Sequence, residues 1–158
     1  MKKLSLEGLN FSTTEINIKN KIMTITLDRP EKKNAMNNVM MNEINYLLAY
    51  AKQEKDIRVV VFAANGDIFC AGADLSRTES KSNVPRLENS DDISLSLRHL
   101  YKPVICKIQG PVLAGALLIV SNATHAIAVD EATFSAPEIH RGLWPFMVMA
   151  GLFRVMPK

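Results

Sequence analysis

Two short stretches of small residues could let bare backbone N–H groups approach a bound ligand. The first, Ala71-Gly72-Ala73, follows an apolar run that is typical of a buried strand. The second, Ala114-Gly115-Ala116, follows another such run and lies near a predicted helix start. Two bare N–H groups facing one another would form an oxyanion hole, which polarises a carbonyl and stabilises an enolate. For the first stretch, a tight packing corner is the alternative, because glycine adopts angles closed to other residues.

The elements that must position these stretches alternate between strand and helix. Period-two runs predict strands at 14–18 and 22–27, joined by a hairpin turn at 19–21. Asn37 is a candidate N-cap for the next helix. Glu43 and Asn45 are expected to lie outside the buried apolar face of this helix. The remaining predicted elements are strands at 58–63, 103–108, 125–129 and 132–135, helices at 93–101, 112–122 and 146–155, and a loop at 137–145. This order predicts an α/β fold with parallel neighbouring strands.

Composition excludes several classes of protein. The 158 residues, 47% hydrophobic and 22% charged, fit one globular domain, which we place at 14–158 after a loose lead-in at 1–13. Because the 19 Lys and Arg residues are scattered, nucleic acid is not an expected partner. No apolar run approaches the roughly 20 residues of a membrane span. Cys70 and Cys106 match no disulfide framework or metal spacing, which favours a reducing cytoplasm.

Five motifs together resemble one known family. They are Leu27-Asp28-Arg29-Pro30-Glu31-Lys32-Lys33-Asn34-Ala35, Phe69-Cys70-Ala71-Gly72-Ala73-Asp74-Leu75, Lys102-Pro103-Val104-Ile105, Gly110-Pro111-Val112-Leu113-Ala114-Gly115 and Ala132-Thr133-Phe134-Ser135-Ala136-Pro137-Glu138. In this order they resemble the crotonase family, the enoyl-CoA hydratase/isomerase superfamily, from about residue 16 to residue 157. The resemblance implies a crotonase/ClpP-like spiral of repeated ββα units. It also implies an acyl-CoA thioester as partner, with coenzyme A as part of the substrate and no separate cofactor or metal.

The resemblance also implies the site residues. Ala73 and Gly115 would hold the thioester oxygen, and Glu138 would be the acid/base, although an exposed loop glutamate is the alternative from the residues alone. The implied substrate-binding residues are Ala71, Ala73, Asp74, Leu75, Ser76, Gly115, Leu118 and Trp144, with Ala73 to Ser76 at the adenine end of CoA. Arg29, Lys32 and Lys33 are weaker candidates for contacts with phosphates. The polar stretch at 76–92 is expected to be a mobile surface loop and a candidate lid.

Two departures from the family pattern bear on function. Leu118 occupies the position of a second glutamate that hydratases use, so a single-base isomerisation by Glu138 fits better than hydration. Family members continue past the match to Pro157 with a helical region that covers CoA and builds trimers, so exposed apolar surface is expected and a homo-trimer or hexamer is an open question. The rival hypothesis is a catalytically inactive acyl-CoA-binding or assembly protein. A ClpP-like protease lacks support because no serine–histidine–aspartate order is present.

Overall fold

The chain opens with an antiparallel hairpin in the computed structural model, which describes residues 3–76, 82–87 and 92–157. Strand β1 (Thr14–Lys19) pairs with β2 (Ile22–Leu27) along its full length. The two turn residues, Asn20 and Lys21, have φ values of 52° and 66°. Positive φ at both central residues matches the right-handed strand twist, as in tight type I′ hairpins. The predicted strands and turn are confirmed.

The elements that follow alternate between helix and strand. In chain order they are α1 (Asn38–Gln53), β3 (Val59–Ala64), α2 (Ile93–Arg98), β4 (Val104–Ile108), β5 (Val112–Leu113), α3 (Leu117–Asn122), β6 (His125–Ala128), β7 (Phe134–Ser135) and α4 (Phe146–Val155). Five strands form one sheet in the order β1-β2-β3-β4-β6, and every pair except β1–β2 is parallel. Strands β5 and β7 form a separate parallel pair. The α/β prediction is confirmed.

Helix α1 packs against the sheet as its apolar spacing predicts. The side chain of Asn37 accepts a hydrogen bond from the Met40 N–H at 2.8 Å, so it caps the helix start. The buried apolar face consists of Met40, Ile44, Leu47, Leu48 and Ala51. These side chains belong to one apolar core with the inward-facing strand residues, such as Ile25 and Phe62. The core fixes the strands whose carboxyl ends carry the loops described below.

The helix predicted at 112–122 begins later than expected, at Leu117. Val112 and Leu113 form β5, because the N–H of Val112 donates to Thr133 and that of Leu113 donates to Cys70. A 3-10 turn at Ala114–Ala116 follows before α3 begins. A strand of two residues has no period that sequence reasoning can detect, so neighbouring backbone decided the conformation. The predicted loop at 137–145 likewise contains a 3-10 turn, Pro137–Arg141.

The lead-in at 3–13 is attached to α1, contrary to the loose segment that the sequence suggests. Glu43, expected away from the buried face, is fully buried, and Asn45 is buried too. The Glu43 carboxylate accepts hydrogen bonds from the backbone N–H groups of Ser12 and Thr13 and from the hydroxyls of Ser12, Thr13 and Thr14. A buried carboxylate is tolerated when its oxygens are satisfied in this way. The polar face of α1 therefore fastens the N-terminal segment.

Most of the predicted surface loop and candidate lid at 76–92 lies outside the described residues. Across the described ranges, no helix has both the length and the apolar character that crossing a membrane requires.

The hydrogen bonds to the Glu43 carboxylate predict a large loss of stability when this side chain is replaced by alanine. We expect Glu43→Ala to lower the free energy of unfolding by about 3 kcal/mol, because several buried donors lose their acceptor. Urea unfolding followed by circular dichroism measures this change. Glu15→Ala, at an exposed position of β1, is the control and is expected to stay within about 0.5 kcal/mol of the wild type. Equal stability of the two variants would show that Glu43 does not fasten the segment.

Candidate active site

Four short segments run parallel to one another beside the main sheet. Met36 forms a parallel bridge with Ala73, and Cys70 forms one with Val112. Strand β5 then pairs with β7, with Leu113 opposite Ser135. The chain therefore passes through residues 36, 70–73, 112–113 and 134–135 side by side and in one direction. Because the carboxyl ends of parallel segments meet at one edge, residues that follow them in sequence are brought together there.

Asn34 joins the first two of these segments. Its side-chain amide is fully buried, accepts from the Arg29 N–H at 2.8 Å and donates to the carbonyls of Asn65 and Ile68 at 2.8 Å each. Its own carbonyl accepts from the thiol of Cys70 at 3.0 Å. Burial raises the pKa of the Cys70 thiol to about 12, so this group is a neutral donor. The loop after β2 is thus fixed to the turn that leads to Gly72.

Gly72 allows the turn at 70–73 to contact the turn at 113–116. Its φ is +90°, and a Cβ atom at this position would lie 2.6 Å from Ala114 Cβ and 2.9 Å from the Leu113 carbonyl oxygen. Real Cβ contacts are not found at such distances, so only glycine fits. The same Cβ position lies 3.1 Å from the Gly115 nitrogen. The two small-residue turns are therefore in direct contact, as an oxyanion hole requires.

The hydrogen-bond pattern leaves the N–H groups of Ala73 and Gly115 available. Met36 donates to the Gly72 carbonyl at 2.7 Å and accepts from the Asp74 N–H at 2.9 Å, so Ala73 itself points to the other side, where residue 115 lies. A Cβ atom on Gly115 would lie 3.8 Å from the Ala73 nitrogen. Among backbone bonds of the described residues, none uses either N–H as a donor.

The conformation of Ala114 explains why the backbone hydrogen bonds between segments 70–73 and 112–113 do not continue to Gly115. The ladder between segments 70 and 112 includes a bond from the Leu113 N–H to the Cys70 carbonyl at 2.9 Å. At the next residue, Ala114, φ is +53°. This left-handed conformation costs a non-glycine residue about 1–2 kcal/mol. Strain of this kind is typical of functional sites, and here it turns the chain so that Gly115 leaves the ladder.

Asp74 and Arg29 form a buried ion pair next to Ala73. The Arg29 Nη1 lies 2.9 Å from Asp74 Oδ2, and the two side chains are 5% and 7% exposed. The same Nη1 donates to the Ala35 carbonyl. The prediction that Arg29 contacts phosphates is therefore wrong, because its guanidinium is buried and already paired. Lys32 and Lys33 remain exposed.

Ser76 holds the other oxygen of Asp74. Its hydroxyl and its N–H donate to Asp74 Oδ1 at 2.6 and 2.9 Å. These two bonds, together with the guanidinium of Arg29, lower the pKa of Asp74 to about 2, well below its ordinary value. Asp74 is consequently a charged structural anchor at neutral pH, and contacts with a ligand would fall to the backbone of this turn.

Glu138 lies at the same edge as Gly115. It follows β7, and Gly115 follows β5, the parallel partner of β7. Within the described residues, its Oε2 is buried and has no hydrogen-bond partner. A buried polar atom without a partner is unfavourable by about 1–3 kcal/mol and calls for an explanation. This oxygen is therefore available to a polar group of a ligand.

The other predicted site residues differ in exposure. Ala71 donates its N–H to the Lys33 carbonyl at 3.0 Å, while Leu75 is 76% exposed. Leu118 is buried, and its Cδ2 lies 3.7 Å from where a Cβ on Gly151 of α4 would be. Trp144 is 60% exposed and its ring centroid lies 6.4 Å from that of Phe146. The apolar neighbours expected around Glu138, Leu143, Trp144 and Phe146, are thus exposed in this chain.

Exposed apolar side chains are concentrated in the last third of the chain, as the sequence predicts. Those at 127–156 are Ile127, Val129, Phe134, Ile139, Leu143, Trp144, Phe146, Met147, Phe153, Val155 and Met156. All four residues of the edge strand β6 are also exposed. Single exposed apolar residues are ordinary, but a concentration on this scale indicates a surface that another segment or molecule covers.

Sequence reasoning missed two residues that build the site, Asn34 and Met36, and it gave the ion-paired Arg29 a different role. Arg29 and Asn34 lie within one of the five motifs and Met36 directly follows it, but a loop motif does not reveal its contacts. In the described part of the chain, no three His, Cys, Asp or Glu side chains converge as a metal site.

Comparison with known proteins gives a consistent result. The sequence profile of the enoyl-CoA hydratase/isomerase family matches residues 17–158. The chain is 35% identical over 135 residues to the probable enoyl-CoA hydratase echA12 of Mycobacterium bovis, with 77% of this chain and 46% of that protein covered. It is 31% identical over 144 residues to the trans-2-decenoyl-[acyl-carrier-protein] isomerase of Streptococcus mutans, with 87% and 55% covered.

Solved structures agree with the sequence relatives. A crystal structure of an enoyl-CoA hydratase/isomerase from Mycobacterium paratuberculosis superposes with a TM-score of 0.81 at 25% identity, over 94% of this chain and 60% of that chain. The crotonase-type spiral expected from the sequence is therefore confirmed as the fold. The chain spans about half the length of the curated relatives that it matches.

The close contact at Gly72 predicts a position-specific cost of adding one methyl group. We expect Gly72→Ala to lower the free energy of unfolding by about 3 kcal/mol, since it combines backbone strain with overpacking against Ala114. Gly142→Ala is the matched control, because Gly142 also has a positive φ, +70°, but no atom lies within 4 Å of its Cβ position. It should cost about 1 kcal/mol. Chemical denaturation of both variants checks the difference, and equal costs would contradict the close contact.

The pairing of Asp74 predicts a stability loss in acid. Because its pKa is lowered to about 2, Asp74 stabilises the fold fully above its ordinary pKa, and this contribution is lost as pH falls from about 4 to about 2. Carbon-13 NMR of the Asp74 carboxyl should show a titration midpoint near 2 that rises in Ser76→Ala. The exposed Ser135→Ala is the control and should not move it. An ordinary midpoint in the wild type would contradict the assignment.

Proposed function

Because the chain belongs to the enoyl-CoA hydratase/isomerase family, we propose that it transfers a proton next to the carbonyl of an acyl-CoA thioester. The observation that supports this most is the contact between the turns of Gly72 and Gly115, with the N–H groups of Ala73 and Gly115 unused among the described residues. Two adjacent donors of this kind fit the oxygen of a thioester. They fit it best when that oxygen gains negative charge in an enolate.

In the proposed reaction, Glu138 is the single acid/base. Its carboxylate removes a proton from C2 of a 3-enoyl thioester, and the electron pair moves into the dienolate whose oxygen Ala73 and Gly115 stabilise. The same carboxyl then returns the proton to C4, which leaves a 2-enoyl thioester. Each oxyanion donor typically contributes about 10²- to 10³-fold to such a rate. The buried, unpartnered Oε2 of Glu138 supports this role.

Leu118 favours isomerisation over hydration in this proposal. Hydration of a double bond needs a group that activates water, and a leucine side chain neither accepts nor donates a proton. Leu118 is buried against α4, so water has no polar partner at this side chain. The isomerase named among the relatives is compatible with this choice.

The remaining assignments follow from the family. We propose that the backbone of the turn from Ala73 to Ser76 contacts the adenine end of coenzyme A, and that Ala71, Leu118 and Trp144 also contact the substrate. Coenzyme A would enter as part of the substrate, with no separate cofactor or metal. A cytoplasmic role in fatty acid metabolism, and assembly as a trimer or hexamer, complete the proposal.

A binding or assembly protein without catalysis is the second candidate. The exposed apolar side chains at 127–156 favour it, because they include Leu143, Trp144 and Phe146, which the sequence predicted as apolar neighbours of the proposed base. Calorimetric titration with an acyl-CoA and an assay of turnover separate the two candidates. Binding without turnover would favour the second, and turnover would exclude it.

The proposed chemistry predicts that Glu138→Gln abolishes isomerisation. We expect conversion of 3-enoyl-CoA to 2-enoyl-CoA to fall by about 10²- to 10⁴-fold, since glutamine cannot carry the proton. Absorbance of the conjugated product measures the rate. Glu131→Gln, at an exposed position of the preceding turn, is the control and should leave the rate unchanged.

Two outcomes would contradict the proposal. Undiminished turnover by Glu138→Gln would remove Glu138 from the mechanism. Rapid formation of 3-hydroxyacyl-CoA from 2-enoyl-CoA by the wild type would overturn the preference for isomerisation.

A further inference from the structure

We propose that the buried ion pair of Arg29 and Asp74 positions the N–H of Ala73 for the oxyanion hole. This inference rests on the proposed function, because it assigns a role within that site. Arg29 and Asp74 are positioning residues in this account, since both side chains are nearly fully buried and paired with one another.

Ala73 is held from one side. The segment at 33–36 makes three backbone hydrogen bonds to the turn: Ala71 N–H to Lys33, Met36 N–H to Gly72, and Asp74 N–H to Met36. These bonds flank Ala73 but do not use its own N–H. The orientation of that N–H is therefore decided by how firmly the two segments remain together.

The ion pair adds a further connection at the end of this short ladder. Arg29 Nη1 donates both to the carbonyl of Ala35 and to Asp74 Oδ2. One guanidinium thus joins the residue before Met36 to the residue after Ala73. Charge-assisted bonds of this kind are stronger and shorter than neutral ones, and few other bonds at this point could replace them.

The main chain of Arg29 is itself held in place. The Arg29 N–H donates to the side chain of Asn34, and the Asn34 N–H donates back to the Arg29 carbonyl at 2.9 Å. Asp74 is fixed on its other side by Ser76 at 2.6 and 2.9 Å. Both partners of the pair therefore have defined positions before any ligand binds, which is what preorganised stabilisation of an oxyanion requires.

The experiment uses acetoacetyl-CoA, a β-keto thioester whose enolate absorbs in the near ultraviolet. At saturating ligand, the ratio of enolate to keto form reports the oxyanion donors and is independent of binding affinity. We compare the wild type with the double variant Arg29→Met/Asp74→Asn, which removes both buried charges together and leaves no unpaired ion. The matched control is Asp56→Asn/Arg58→Met, a pair of exposed charges at the amino end of β3.

The expected result is a fall of about tenfold or more in the enolate ratio of the double variant, with the control equal to the wild type. An unchanged ratio in the folded double variant would overturn the positioning role while leaving the proposed function intact. A wild type that binds the ligand without any enolate signal would instead overturn the proposed function, and the positioning role with it.

A second variant keeps the test decisive if the double variant does not fold. Arg29→Lys retains the charge, but a single ammonium has a shorter reach than the guanidinium that spans Ala35 and Asp74. Its enolate ratio should lie clearly below that of the wild type at equal thermal stability. A ratio equal to the wild type in this folded variant would also overturn the inference.

Discussion

The contact between two turns at Gly72 is the constraint on which the rest of this site depends. No side chain fits there, since even a methyl group would approach Ala114 Cβ to 2.6 Å. With glycine in place, the turn of Ala73 contacts the turn of Gly115, and backbone bonds of the described residues leave the N–H groups of both residues unused. The sheet, helix α1 and the loop fixed by Asn34 all serve to hold these turns at that distance. Catalysis by preorganised donors needs this kind of rigidity, because the donors must not reorganise when charge develops.

The two buried carboxylates that hold loop segments, Glu43 and Asp74, are stabilised by different partners. Glu43 is buried without a cation and is satisfied by hydroxyls and backbone N–H groups of the N-terminal segment. Asp74 is buried with Arg29 and two donors of Ser76. In both cases a carboxylate fastens a segment without regular structure. Glu138 contrasts with both, because its buried Oε2 has no partner among the described residues.

The sequence predicted the parts of the fold that have a periodic signal. The hairpin, the strand–helix–strand unit around α1 and the capping by Asn37 all follow from local patterns and were found. Strand β5 was not, because its two residues take their conformation from Cys70 and Thr133, which are distant in sequence. Arg29 was likewise interpreted as a surface cation. A loop residue gives no sign of burial until its partner is known, and Asp74 lies 45 positions away.

The central claim is that the N–H groups of Ala73 and Gly115 bind the thioester oxygen. An isotope-edited infrared difference spectrum of a thioester labelled with carbon-13 at its carbonyl tests this claim most directly. Two hydrogen bonds from fixed donors polarise the carbonyl more than mobile water does, so its stretching frequency should be lower in the complex than in water. A bound thioester whose carbonyl absorbs at or above its frequency in water would contradict the account.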